Sequence, residues 1–228
     1  MPDHDAPPWK TVQIGVLVED TGEKPRTIQH WSDLGILRPE SVSDKKGRGN
    51  FRIYRAEPLY GERTYALYAS ALAKLRLPLG DIRHLIYAER LTLDPVELLD
   101  KNDSHLEVAL RIRAERIEDV KQHPGFVHPF EASLAGEPNI YEVIVAPTND
   151  PVTPVKVAYL RQVGSNKWTD PDLPARANNK LLLNLMSDNT TAVMLNLSKI
   201  FEPLRRPLHE KDFVGEGGRA AGRPAETA

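Results

Sequence analysis

The apolar positions near the start of the chain follow a helical period. Ile14, Leu17 and Val18 recur three and four residues after the first of them, which predicts a short amphipathic helix. Gly22 lies where this pattern stops, and glycine readily adopts the left-handed conformation that ends a helix. We therefore expect a first helix that closes near residues 21–22.

A second helix is predicted directly after the first. Pro25 suits the first helical turn, Ile28, Trp31 and Leu34 share one face, and Gly35 ends the pattern. Trp31 is interpreted as a core residue because it continues this apolar stripe. The opposite face carries donors and acceptors suited to DNA phosphates and base edges, namely Arg26, Thr27, Gln29, His30 and Asp33. An ordinary surface helix has a similar face.

A cationic loop and a short strand follow the second helix. Residues 40–50 have turn composition, and residues 51–54 alternate apolar and polar side chains as a strand does. Between residues 45 and 55 there is no acid, but there are the cations Lys45, Lys46, Arg48, Arg52 and Arg55. Such charges repel one another unless an anion is present, which favours contact with phosphates. The simpler alternative is that they keep the loop soluble.

Two further helices are predicted to support this hairpin. The first extends over about residues 58–75, and its inner face consists of Tyr65, Tyr68, Leu72 and Leu75. The second begins after Pro78 and places Ile82, Leu85 and Ile86 inward.

A longer helix is predicted before Pro124. Ser104 and Glu107 have the spacing of a capping box, and an apolar stripe follows. The stripe contains the candidate dimerisation residues Leu106, Leu110, Ile117 and Val120. Packing of this helix on its own chain is nearly as good an interpretation.

Strand patterns dominate from residue 138 onward. Residues 140–145 and 155–160 flank a turn, as do residues 180–186 and 191–197, although residues 197–201 also suit a short helix. These patterns predict a small α+β domain that binds an effector, a protein partner or a second copy of itself. The tail from His209 has few apolar residues, and we expect it to be disordered.

Composition excludes several classes of protein. Zero cysteines exclude a disulfide framework, a thiolate metal site and a cysteine nucleophile. His123 and His128 have no obvious carboxylate beside them, and no nucleophile and base are placed together, so we expect no metal, no cofactor and no catalytic activity. The chain has no apolar run long enough to cross a bilayer, and its start is acidic, which predicts a cytoplasmic protein associated with no membrane.

The patterns together predict an α+β protein with a winged helix-turn-helix, a linking helix and a small C-terminal α+β domain. The expected organisation is a disordered N-terminus (1–10), a DNA-binding domain (11–90), a linker with the candidate dimerisation helix (91–123), a C-terminal domain (124–208) and a disordered tail (209–228). The net charge of −2 does not exclude DNA binding, because binding depends on where the charge lies.

Several of these residues resemble the DNA-binding domain of the MerR family of bacterial transcription regulators. The resemblance covers about residues 11–88. It rests on Ile14-Gly15 at the first helix, Arg26-Thr27-Ile28 followed by Trp31, Leu34-Gly35-Ile36-Leu37 with Pro39, Arg52 and Tyr54 in the wing, and Leu77-Pro78-Leu79 before Ile82. Residues 29–32 depart from the family pattern, so an operator sequence is not transferable.

The resemblance implies a homodimer that binds an inverted-repeat operator in double-stranded DNA, with RNA polymerase as a further partner. By position, Arg26 and Thr27 would contact phosphate, Gln29 and His30 would face the groove, and Arg52 and Tyr54 would hold the DNA backbone from the wing. His30 suits a solvated surface position equally well. Two alternatives stay open: an architectural protein of excisionase-like or chromosome-organising type, and a sensor or enzyme domain with a DNA-binding output.

Overall fold

The computed structural model describes residues 10–43, 51–57, 61–93, 128–145, 156–162, 168–169 and 192–214. Within these ranges the chain combines helices with two small antiparallel sheets. The expected α+β class is therefore confirmed. The described residues do not include the candidate dimerisation residues Leu106, Leu110, Ile117 and Val120, or the loop cations Lys45, Lys46 and Arg48.

Among the residues that the structure describes, the N-terminal half forms a three-stranded sheet and four helices. In chain order these are β1 (Thr11–Gln13), α1 (Ile14–Thr21), α2 (Pro25–Asp33), β2 (Ser41–Ser43), β3 (Phe51–Arg55), α3 (Glu62–Lys74) and α4 (Leu79–Leu93). Strand β3 lies between β1 and β2 and is antiparallel to both. Val12 pairs with Tyr54, and Val42 pairs with Arg52.

The turn between α1 and α2 follows the sequence pattern closely. Gly22 has a φ of 71° and donates its backbone N–H to the carbonyl oxygen of Val18 over 2.9 Å, which ends α1. Pro25 occupies the first turn of α2. Gly35, with a φ of 72°, redirects the chain after α2. The predicted ends of both helices are confirmed.

The third helix is shorter than the sequence predicts. Its pattern extends over residues 58–75, but α3 begins at Glu62. A Cβ atom on Gly61 would lie 2.0 Å from the carbonyl oxygen of Glu57, so only glycine permits the tight approach that precedes the helix. The predicted inner face is confirmed for Tyr65, Tyr68 and Leu72, which are buried, whereas Leu75 is exposed at the end of the helix.

The described part of the C-terminal half contains a four-stranded sheet. Its elements are α5 (Pro129–Leu134), β4 (Ile140–Val145), β5 (Lys156–Gln162), β6 (Trp168–Thr169), β7 (Ala192–Asn196), α6 (Leu197–Ile200) and two 3-10 turns (Glu202–Arg205 and Glu210–Asp212). The strand order is β6-β5-β4-β7. The predicted pairing of residues 140–145 with 155–160 and the short helix at Leu197 are confirmed, whereas residues 180–186 lie outside the described residues.

The two halves share one hydrophobic core. Phe130 of α5 is fully buried, and its ring centroid lies 5.0 Å from that of Tyr68 in α3 and 4.8 Å from that of Phe201. Ile140 and Leu197 belong to the same buried cluster. Residues on both sides of the boundaries expected at 90 and 124 therefore belong to one buried cluster.

The segment after His209 is ordered as far as Val214, which corrects the expectation of a disordered tail beginning at residue 209. Phe213 forms an antiparallel bridge with Val12, and the backbone N–H of Val214 donates to the carbonyl oxygen of Thr11 over 2.9 Å. Lys10 places its ammonium group 4.8 Å from the centre of the Phe213 ring. A paired backbone and one aromatic ring hold this segment despite its polar composition.

None of the helices within the described ranges combines the length and the apolar character that crossing a bilayer requires.

Candidate nucleic-acid interface

Helix α2 has one buried face and one polar face. Ile28 is fully buried and Trp31 is 2% exposed, so the interpretation of Trp31 as a core residue is confirmed. The opposite face exposes Arg26, Gln29, His30 and Asp33, and Thr27 is half-buried beside it. The polar side chains predicted to face DNA therefore lie on one side of α2, and most of them are exposed to solvent.

The chain that leaves α2 is fixed by a buried ion pair. Arg90 of α4 donates to both carboxylate oxygens of Glu62 in α3, over 2.6 and 2.7 Å, and also to the carbonyl oxygen of Ile36 over 3.2 Å. Glu62 in turn accepts the backbone N–H of Arg38 over 2.9 Å. The side chains of Glu62 and Arg90 are 4% and 1% exposed. The turn after α2 is therefore attached to α4 through Ile36 and to α3 through Arg38.

Sequence reasoning missed this pair, although a signal for it exists. Arg90 lies four residues after Ile86 and eight after Ile82, so it continues the buried stripe of α4. A charge at such a position requires a buried partner. Its guanidinium also lies 3.9 Å from the centre of the Tyr65 ring, a cation–π contact that stabilises the charge further.

A second ion pair connects the first helix to the same support. Arg63 of α3 donates to both oxygens of Asp20, over 2.6 and 3.0 Å, and both side chains are largely buried. Two-point geometry between a guanidinium and a carboxylate sets direction as well as distance. Helices α1 and α2 are thus both attached to α3, which holds their relative orientation.

The strand β3 is attached directly to helix α2. Ser32 donates its hydroxyl to the carbonyl oxygen of Ile28 over 3.0 Å, and its oxygen lies 3.0 Å from the hydroxyl of Tyr54. Either of these two hydroxyl groups can be the donor in this pair. Arg52 adds a second attachment by donating to the carbonyl oxygen of Gln29 over 2.8 Å.

The role expected for Tyr54 is corrected by its position. The sequence interpretation gave it a contact with the DNA backbone, but its side chain is fully buried between β3 and α2. Burial raises the pKa of the Tyr54 hydroxyl above its usual value, and the hydrogen bond to Ser32 and the charge of Arg52 oppose that shift. Tyr54 therefore positions the hairpin as a buried, protonated hydroxyl.

Arg52, which the resemblance expects to hold the DNA backbone, already has partners within the protein. Its side chain is 15% exposed, and besides Gln29 it donates to a carboxylate oxygen of Asp33 over 2.5 Å. The structure therefore brings Arg52, Gln29 and Asp33 together where the hairpin meets α2.

The N-terminal half meets the C-terminal sheet through a second buried polar cluster. Glu89 of α4 accepts a hydrogen bond from Tyr159 over 2.9 Å and lies 3.1 Å from Nε2 of His128. Tyr68 donates to Glu142 over 2.7 Å. The sequence argument that His128 has no carboxylate beside it is thus wrong, since the partner comes from a distant helix. Among the described residues, no three His, Asp or Glu side chains form a group that could hold a metal ion.

No protein-family model matches this chain, and no curated protein matches it significantly.

Proposed function

We propose that this chain is a sequence-specific regulator of transcription that binds double-stranded DNA as a winged helix-turn-helix of MerR type. In this proposal α1 and α2 form the helix-turn-helix, and β2 and β3 form the wing. The supporting observation is the attachment of β3 to α2 through Arg52 and Tyr54. A recognition helix and a wing that are joined in this way meet a duplex as one surface.

The polar face of α2 would enter the major groove. Gln29 and His30 are exposed near its middle, where an amide offers a donor and an acceptor to adenine, and Arg26 is exposed one turn earlier, where it would contact phosphate. The buried pair Glu62–Arg90 supports this assignment, since it holds the chain that leaves α2. A rigid support keeps base contacts in register.

The proposed assembly is a homodimer on an inverted-repeat operator in the bacterial nucleoid, with RNA polymerase as a further partner. These elements rest on the resemblance carried by residues 11–88. Loop cations Lys45, Lys46 and Arg48 would add phosphate contacts from the wing.

Replacing Arg26 with alanine is expected to weaken binding to every duplex by about 1 kcal/mol, or about fivefold, because one phosphate contact is lost. The slope of log affinity against log salt should fall by about 0.9 with the same variant. A fluorescence-anisotropy titration at several salt concentrations measures both quantities. Lys199→Ala is the matched control, since Lys199 is an exposed cation on α6 in the C-terminal half. Equal effects of the two variants would argue against a DNA-facing role for α2.

Replacing Gln29 with alanine is expected to change the preference among sequences rather than the salt dependence. Loss of a two-point contact with adenine should cost about 1–3 kcal/mol of discrimination at one base pair. Selection of bound duplexes from a random pool, followed by sequencing, measures the preferred motif. An identical motif for the variant and the parent protein would remove Gln29 from the residues that read bases.

Genome-wide mapping of bound sites separates the regulator from an architectural protein. Discrete promoter sites with two-fold symmetry support the regulator, whereas continuous occupancy along the chromosome supports a packaging role. No binding to duplex DNA at low ionic strength would overturn both.

A further inference from the structure

We propose that Asp33 occupies the phosphate-binding position of Arg52 in the DNA-free protein, and that a backbone phosphate displaces the Asp33 carboxylate when a duplex binds. Asp33 would thereby lower the affinity of the protein for duplex DNA, whatever its sequence. This inference rests on the proposed DNA-binding function and adds a regulatory contact to the same surface.

The two terminal amino groups of Arg52 have partners of different kinds. One is bonded to the backbone, and the other is bonded to a side chain that an anion can replace. One terminal nitrogen donates to the carbonyl oxygen of Gln29, a backbone atom that moves only with helix α2. The other donates to the carboxylate of Asp33. The first bond therefore holds the guanidinium in place, while the second depends on a single side chain.

Asp33 is far more accessible to water than the cation it neutralises. Its side chain is 59% exposed, compared with 15% for Arg52. An exposed carboxylate is fully hydrated after it leaves its partner, and solvent screening makes such an ion pair weak. Displacing Asp33 from Arg52 therefore costs little free energy. The hydrogen bond from Arg52 to the Gln29 carbonyl oxygen can stay in place.

Phosphate and carboxylate are both anions that a guanidinium binds through parallel hydrogen bonds. The Arg52–Asp33 pair lies at the boundary between the polar face of α2 and strand β3. A duplex held against α2 presents its backbone to this boundary, because the wing flanks the groove that the helix enters. A phosphate would then replace one anion by another and leave the charge of Arg52 neutralised throughout.

The helix backbone around Asp33 does not favour an acid at this position. Asp33 is the last residue of the helix, where the partial negative charge of the helix dipole disfavours a carboxylate. Substitution by asparagine therefore removes the charge without an expected loss of helix stability. The variant Asp33→Asn is thus a test that leaves the fold intact.

Asp33→Asn is expected to raise affinity for duplexes of any sequence by about twofold to fivefold, the range that a weak ion pair permits, and to steepen the log–log salt slope by about 0.9. Anisotropy titrations provide the measurement. One probe is a duplex of defined sequence and about 20 base pairs, and the other is a pool of duplexes of the same length with mixed sequence. The matched control is Glu131→Gln, which removes one exposed acid from α5 and should leave both quantities unchanged. Thermal unfolding of each variant confirms that the fold is retained.

The decisive comparison adds Arg52→Ala. If Asp33 acts by masking Arg52, the gain from Asp33→Asn disappears in the Arg52→Ala background. If the gain persists there, Asp33 acts only as a negative charge near DNA, and the inference is overturned. It is also overturned if Asp33→Asn binds no better than the parent protein. Failure of the proposed function looks different, since neither protein would then bind any duplex in dilute salt.

Discussion

Replacing Arg90 with alanine is expected to lower the free energy of unfolding by about 3–5 kcal/mol, because the Glu62 carboxylate would remain buried without its charged partner. The loss has two further parts. The carbonyl oxygen of Ile36 loses a donor, and the cation–π contact with Tyr65 disappears. Urea denaturation followed by circular dichroism measures the change.

Two controls test the cause of that loss. Glu62→Met combined with Arg90→Met removes both charges, and it should recover part of the stability because no unpaired charge stays buried. Recovery is incomplete, since the N–H of Arg38 still loses its acceptor. Arg206→Ala breaks an ion pair with Glu19 whose side chains are 67% and 66% exposed, and it should change stability by less than about 0.5 kcal/mol. A comparable loss for Arg206→Ala and Arg90→Ala would contradict the assignment.

The same substitution should weaken DNA binding if the proposed function holds. The chain between Ile36 and Arg38 would lose its attachment to α4, and Glu62, which accepts from Arg38, would lose the partner that holds it in place, so the orientation of α2 would vary. Binding then carries the cost of ordering this segment. Comparison at a temperature well below the unfolding midpoint separates this effect from global unfolding.

Replacing Phe130 with alanine is expected to destabilise both halves of the protein together, by about 3–5 kcal/mol. Its ring is fully buried between Tyr68 of α3 and Phe201, so the cavity would open at the junction of the halves. Hydrogen exchange measured by mass spectrometry should show faster exchange in α3 as well as in β4. Both elements border the same cavity.

The matched control for Phe130 is Met194→Ala, because Met194 is a large apolar residue of the same half but is 40% exposed. This variant should leave exchange in α3 unchanged. If Phe130→Ala accelerated exchange only within residues 128–145 and 192–204, the halves would be independent domains. A loss of packing in one half would then not destabilise the other half through the shared core.

Much of the secondary structure was predictable because local chemistry controls it. Gly22 and Pro25 punctuate the first two helices, and the periodic positions Ile28 and Trp31 identify the buried side of α2. The alternating residues 140–145 likewise identify β4. In each case the signal lies within a few residues of the element that it determines.

The roles of individual polar residues were less predictable. Tyr54 was expected at the surface, yet its partner Ser32 lies on a different element. Arg52 was expected to contact the DNA backbone, yet within the protein it donates to Gln29 and Asp33. A hydrogen-bond partner that is many residues away leaves no trace in a local pattern, so burial of such groups becomes visible only after folding.

The amino-acid sequence alone determined the α+β class, the ends of α1 and α2 and the polar side of α2, since these depend on short-range periodicity and on the backbone preferences of glycine and proline. Only the tertiary structure decided that Glu62 and Arg90 pair and that the C-terminal half packs on α3. It also decided that Phe213 and Val214 pair with β1. Such contacts join residues far apart in the chain, and their energies depend on shape and exclusion of water that no local window contains.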